Sequence, residues 1–127
     1  MINKKQIIIP PRIIKNICEF AKSLHPKEFS CLVSGKLSER ALTITGLVYQ
    51  HFVSDSSSSV LWDNVPILSN IIGSVHSHPD ENALPSVADK RAWSKEGGIH
   101  IIICYPYKKE NIAVYNSQGK QLESASL

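Results

Sequence analysis

No C-x-x-C pair occurs in this 127-residue chain, and its three cysteines, Cys18, Cys31 and Cys104, lie far apart in apolar surroundings. Their number and spacing exclude a disulfide framework and a sulfur-ligated zinc site; small buried thiols in a reducing, cytoplasmic setting are the expectation. No run of five like charges appears, and lysine plus arginine outnumber aspartate plus glutamate only by 14 to 11. Nothing therefore points to a nucleic-acid-binding arm or a membrane-surface helix. No apolar stretch approaches the ~20 residues that span a bilayer, and QIII near the start is too short for a secretion signal. There is also no internal repeat and no dividing linker, so residues 1–127 are expected to form one domain. What remains is ordinary globular material, 43% hydrophobic and 20% charged.

The apolar pattern places the elements. Gln6 to Ile9 reads as a strand ended by Pro10-Pro11, with Pro11 suited to the first turn of a helix, where its missing N–H costs nothing. Ile13, Ile17, Phe20/Ala21 and Leu24 then recur at helical spacing up to His25-Pro26. EFSCLVS (28–34) alternates like a strand, and Ala41 to Val48 is its expected hairpin partner. IIGSVH reads as a buried strand. SVADKRAWSKEG reads as a helix closed by Gly97-Gly98, and IHIIICY as a strand buried on both faces. NIAVYN and KQLES form a final hairpin around Ser117-Gln118-Gly119. The serine-rich stretch 54–59 is expected to be a surface loop. Helices and strands intermix without a regular βαβ period, so the expected class is α/β or α+β, with helices sandwiching a mixed sheet.

GSVHSHPDENALPSVADKRAW, residues 73–93, carries the chemistry. Residues at i and i+2 of a strand share a side, so His76 and His78 point together and Ser77 points away. Pro79 ends the strand, and Asp89 arrives in the first turn of the next helix, able to fold back beside the imidazoles. Two nitrogens and one oxygen leave a fourth tetrahedral position for water, the pattern of catalytic rather than structural zinc. Each piece alone has a plainer reading. A histidine at a strand end is commonly a hydrogen-bonded residue, and Ser86 to Asp89 matches a helix capping box.

The whole phrase, H-S-H-P, six residues, S, two residues, D, with all of His76, His78, Pro79, Ser86 and Asp89 in place, resembles the JAMM (MPN+, Mov34/Pad1-type) family. That family also carries a glutamate in a segment like P-x-E-x-C/G-x-L-x-G; PKEFSCLVSG supplies Glu28, 48 residues before His76, with Ser30 where glycine is frequent. The resemblance covers nearly the whole chain and implies a single compact JAMM domain of the prokaryotic form, with cytidine-deaminase-like layering. It implies one Zn2+ on His76, His78 and Asp89, although an N₂O site also suits iron, cobalt or manganese. It further implies Glu28 as general base and then acid, and Ser86 as oxyanion donor. The activity implied is a metalloprotease acting at the carboxyl end of ubiquitin-like or small β-grasp proteins, by isopeptide cleavage or by tail trimming. Release of a single amino acid from a sulfur-carrier protein is a close variant, and a metal-free MPN scaffold is the alternative of a different class. No nucleic acid or membrane partner is expected, and a homodimer stays open. His25, His51 and His100 are read as non-ligands. Trp93 is read as a helix-to-core contact, and Trp62 as either a packing residue or a contact in a substrate groove.

Overall fold

The structure, a computed structural model, describes residues 5–48 and 70–126. His51, the serine stretch 54–59 and Trp62 lie outside the described residues. Among the described residues, eight strands and two α-helices follow in the order β1 (Gln6–Ile8), α1 (Pro11–Leu24), β2 (Ser30–Leu37), β3 (Ala41–Val48), β4 (Ile71–His78), α2 (Val87–Glu96), β5 (Ile99–Cys104), β6 (Ile112–Asn116), β7 (Gln121–Leu122) and β8 (Ser124–Ala125). The strands form one sheet in the order β7-β6-β5-β4-β2-β3-β1-β8. It is mixed: β4 and β5 run parallel, as do β1 with β3 and β1 with β8, while the remaining pairs are antiparallel. Among the described residues no helix is long and apolar enough to cross a membrane.

Pro11 opens α1 as its residue type allows, and the stripe Ile13, Ile17 and Ala21 is fully buried against one face of the sheet. There it meets Ile7, Val33, Ile44, Val75, Ile101 and Ile103. On the opposite face α2 contributes Trp93, which packs with Ile102, Ala113 and Tyr115. Strand β5 sits between these layers with all six residues buried, because its odd and even positions feed different cores. Gly73 is required where β4 meets β5: a Cβ there would run into the Ile99 carbonyl. That close approach aligns the parallel pair whose far ends carry His78 and Cys104.

Two expectations need correction. The segment 28–34 does not alternate: Cys31 to Gly35 are all buried, and the strand begins only at Ser30, leaving Glu28 and Phe29 before it. The final hairpin forms around Ser117-Gln118-Gly119, but only part of KQLES belongs to it. The first half of that segment pairs with β6 as β7, and after Glu123 the chain pairs with β1 as β8. These are opposite edges of the sheet, so the sheet curls until its two edges stand one residue apart.

Candidate metal centre

The end of β4 and the start of α2 build the site. His76 and His78 share one face of β4, and Ser77, fully buried, points into the opposite core. Pro79 to Pro85 then cross to α2. Ser86 is its N-cap: Ser86 Oγ accepts from the Asp89 backbone N–H at 3.0 Å, and the Ser86 N–H donates to Asp89 Oδ2 at 2.9 Å. The capping box thus exists as the residue pattern suggests, and it aims the same Oδ2 at the imidazoles.

Three donor atoms converge. His76 Nε2 and His78 Nε2 are 3.1 Å apart, and Asp89 Oδ2 lies 3.4 Å from the first and 3.6 Å from the second. Zinc bonds of about 2.0–2.2 Å set tetrahedral donors about 3.3–3.6 Å apart, so these atoms already stand near the edges of such a tetrahedron. Among the described residues, this is the one cluster of three His, Cys, Asp or Glu donors close enough to share an ion.

The protonation states suit a cation. His78 Nδ1 lies 2.8 Å from the Asn82 carbonyl, which can only accept, so Nδ1 carries the proton and Nε2 offers its lone pair. Burial lowers the pKa of His76, helped by its neighbour His78 and opposed by Asp89 and Glu28. For Asp89, burial raises the pKa, but the Ser86 N–H and the two imidazoles outweigh it and hold the carboxyl below its usual value. At neutral pH the site therefore presents a neutral His76 beside a carboxylate, the forms that ligate.

Lowered histidine pKa values have a consequence for stability. His76 and buried His100 both fall below the ordinary 6.5, each chiefly through burial. The unfolded chain then binds these protons more readily than the folded one, so their contribution is intact above about pH 6.5 and is lost as pH falls. Chelator-treated protein should accordingly melt at a lower temperature at about pH 5.5 than at about pH 7.5. Equal melting temperatures would show that neither imidazole is held neutral by the fold.

Glu28 is exposed, in the segment leading into β2. Ser30 pairs with His76, and paired residues of antiparallel strands share a face. The ladder ends at that pair; Glu28 lies two residues before Ser30, and its charge is felt at His76. Ser86 is exposed beside the cluster.

The other described histidines take no part. His25 ends α1 with Nδ1 2.7 Å from the Tyr107 hydroxyl. His100 donates from Nε2 to the Gly97 carbonyl at 2.7 Å, leaving Nδ1 to accept from the Ser74 hydroxyl at 2.7 Å. Its ring stacks on Trp93 at 4.7 Å, and Trp93 stacks on Tyr115 at 5.7 Å, forming the floor behind His76.

Sequence reasoning missed the frame around His78. Asp80 Oδ1 accepts from Asn82 N–H at 3.0 Å, and Asn82 Oδ1 accepts from Leu84 N–H at 2.8 Å. These Asx turns hold the Asn82 carbonyl under the imidazole, and Tyr115 pins the next carbonyl, that of Ala83, at 2.8 Å. The spacing of Asp80 and Asn82 in PDEN was the available signal.

Comparison with known proteins agrees with this geometry. Residues 10–117 match the family model described as prokaryotic homologs of the JAB domain. A protein described as a probable metalloprotease, from Haloferax volcanii, is 31% identical over 110 residues, covering 80% of this chain and 68% of its own length. The crystal structure of a JAB1/MPN domain protein from Archaeoglobus fulgidus superposes with a TM-score of 0.72 at 32% identity, over 96% of this chain and 99% of that one. A structure described as JAMM, a metalloprotease-like zinc site in the proteasome and signalosome, gives 0.73 at 31% identity, over 98% of this chain and 99% of that one. The matched span includes every residue of the donor cluster, and the chain belongs to the prokaryotic JAB-domain family, within the JAMM/MPN+ zinc metalloproteases.

Proposed function

We propose that this protein is a zinc-dependent peptidase that hydrolyses peptide or isopeptide bonds at the carboxyl end of ubiquitin-like or small β-grasp proteins, sulfur carriers included. The observation that carries the reading is the spacing of His76 Nε2, His78 Nε2 and Asp89 Oδ2, which fits one tetrahedral zinc with a position to spare.

Bound zinc supplies Lewis acidity, which lowers the pKa of water from 15.7 toward ~7. Glu28 removes the proton of the attacking water and returns it to the leaving amine, acting first as base and then as acid. Ser86 stabilises the developing oxyanion. Its cap uses only a lone pair of Oγ, so the hydroxyl proton is left to donate. His78, Asn82 and the Asx turns keep the donor set in place against the strain of substrate entry. An extended substrate tail fits this chemistry best, since its backbone can pair with a strand edge while a glycine-rich end enters a narrow slot.

Ser86 separates two roles cleanly. Ser86→Ala should lower kcat about 10²–10³-fold and destabilise the protein by about 0.5–2 kcal/mol, because both the donor and the cap are lost. Ser86→Gly should lose the same rate yet only a few tenths of a kcal/mol, since glycine caps nearly as well. If Ser86→Gly kept wild-type kcat, Ser86 would be a cap alone.

The substrate class is tested with a panel: a linear fusion after a β-grasp protein's carboxyl tail, a lysine-linked conjugate, and a carrier bearing one terminal amino acid. Cleavage of at least one, abolished by chelator and restored by Zn2+, is expected. Zinc-loaded protein that cleaves none of them would sink the substrate assignment.

A further inference from the structure

Ser77 lies between the two histidines, yet its side chain points away from them into the core and is fully buried. It makes two bonds to one residue. Its backbone N–H donates to the Phe29 carbonyl at 2.8 Å, and its Oγ accepts from the Phe29 N–H at 2.7 Å. In a regular antiparallel pair that second bond would end on the Ser77 carbonyl. Here the hydroxyl oxygen replaces the carbonyl, so the ladder between β2 and β4 stops at Ser30 and His76, and the chain before Ser30 follows a path set by a side chain. The Phe29 ring is buried in the core and stacks on Phe20 at 5.7 Å. Phe29 is therefore held twice, by its ring and by its backbone, and Glu28 is the next residue outward.

We infer that Ser77 is a positioning residue for Glu28: its hydroxyl fixes the Glu28–Phe29 segment against the end of β4 and so sets where the Glu28 carboxylate meets the water it deprotonates. The inference rests on the reading of Glu28 as the general base. A hydroxyl suits the task because serine is the smallest side chain that offers an acceptor at this distance. Alanine removes the acceptor that the Phe29 N–H uses. Cysteine keeps nearly the same volume but is a weak acceptor, and threonine restores the hydroxyl.

The test compares Ser77→Ala, Ser77→Cys and Ser77→Thr by steady-state kinetics, by zinc affinity and by amide hydrogen exchange of the zinc-free protein. Misplacing a reacting group by about 1 Å costs up to about 10²-fold, so kcat should fall about 10–100-fold in Ser77→Ala and Ser77→Cys. KM and zinc affinity should change little, and the Phe29 amide should lose its protection. Ser77→Thr should recover both kcat and protection. Should Ser77→Ala fail to fold, the near-isosteric Ser77→Cys carries the comparison. Wild-type kcat in a folded Ser77→Cys whose Phe29 amide exchanges freely would overturn the inference, and so would zinc affinity falling in step with activity. Glu28→Gln in the same assay reports on the parent reading alone. An active Glu28→Gln removes the base, and with it the inference. An inactive Glu28→Gln beside fully active Ser77 variants keeps the base and removes only the positioning role.

Discussion

Glu28→Gln is expected to lower kcat about 10²–10⁴-fold while zinc stays bound at about one per chain. The two halves of this expectation come from different observations. Glu28 is not among the three converging donors, so its loss leaves His76, His78 and Asp89 with the spacing that suits zinc. Its charge is felt at His76, and in the proposed reading its loss removes the carboxylate that exchanges a proton with water. Glutamine keeps the shape and the local hydrogen bonding but cannot take the proton. Kinetics and metal analysis on the same preparation check both halves. Retained activity would contradict the role, whereas loss of zinc would mean that Glu28 supports the metal instead.

Asp89→Ala should lose both metal and stability, because one oxygen serves two structures. Asp89 Oδ2 accepts the Ser86 N–H at 2.9 Å and lies within 3.6 Å of both imidazoles. Alanine removes a zinc ligand, half of the capping box and the negative charge at the start of α2, an interaction worth about 0.3–1 kcal/mol by itself. Zinc content should fall to near zero, and turnover with it. The melting temperature should drop even after chelator treatment of both proteins. Asp89→Asn separates these effects: its amide oxygen still accepts from Ser86, so the zinc-free variant should melt closer to wild type while binding zinc far more weakly. If the two variants lost zinc and thermal stability in the same proportion, the cap and the ligand would not be separable functions of this side chain.

The donor cluster was legible in the sequence from the whole phrase around His76, His78, Ser86 and Asp89 and its family resemblance, and local rules explain why the fold brings those donors together. The two-residue period of a strand puts His76 and His78 together, and a serine three residues before an acid caps a helix and turns that acid inward. Both rules act over a few residues, and no distant segment overrides them. The helical stripe of α1 and the doubly buried β5 were legible for the same reason. What escaped depends on contacts between distant segments or on backbone atoms. The curl that brings β7 and β8 to opposite edges of one sheet is set by how far eight strands twist, and nothing in KQLES marks Glu123 as the crossing point. Glu28 was read as a strand residue because EFSCLVS alternates. The structure ends the ladder at Ser30, since Ser77 Oγ captures the Phe29 N–H. The Asn82 carbonyl that orients His78 is a main-chain group, which residue identity reveals only through the Asx turns around it.

The central claim is that His76, His78 and Asp89 hold one zinc, and metal content is its most direct measure. Tag-free wild-type protein and Asp89→Ala, purified side by side and analysed by elemental mass spectrometry, should contain about one and near zero zinc per chain. A wild-type protein that carries no zinc, and takes up none when it is supplied, would contradict the account.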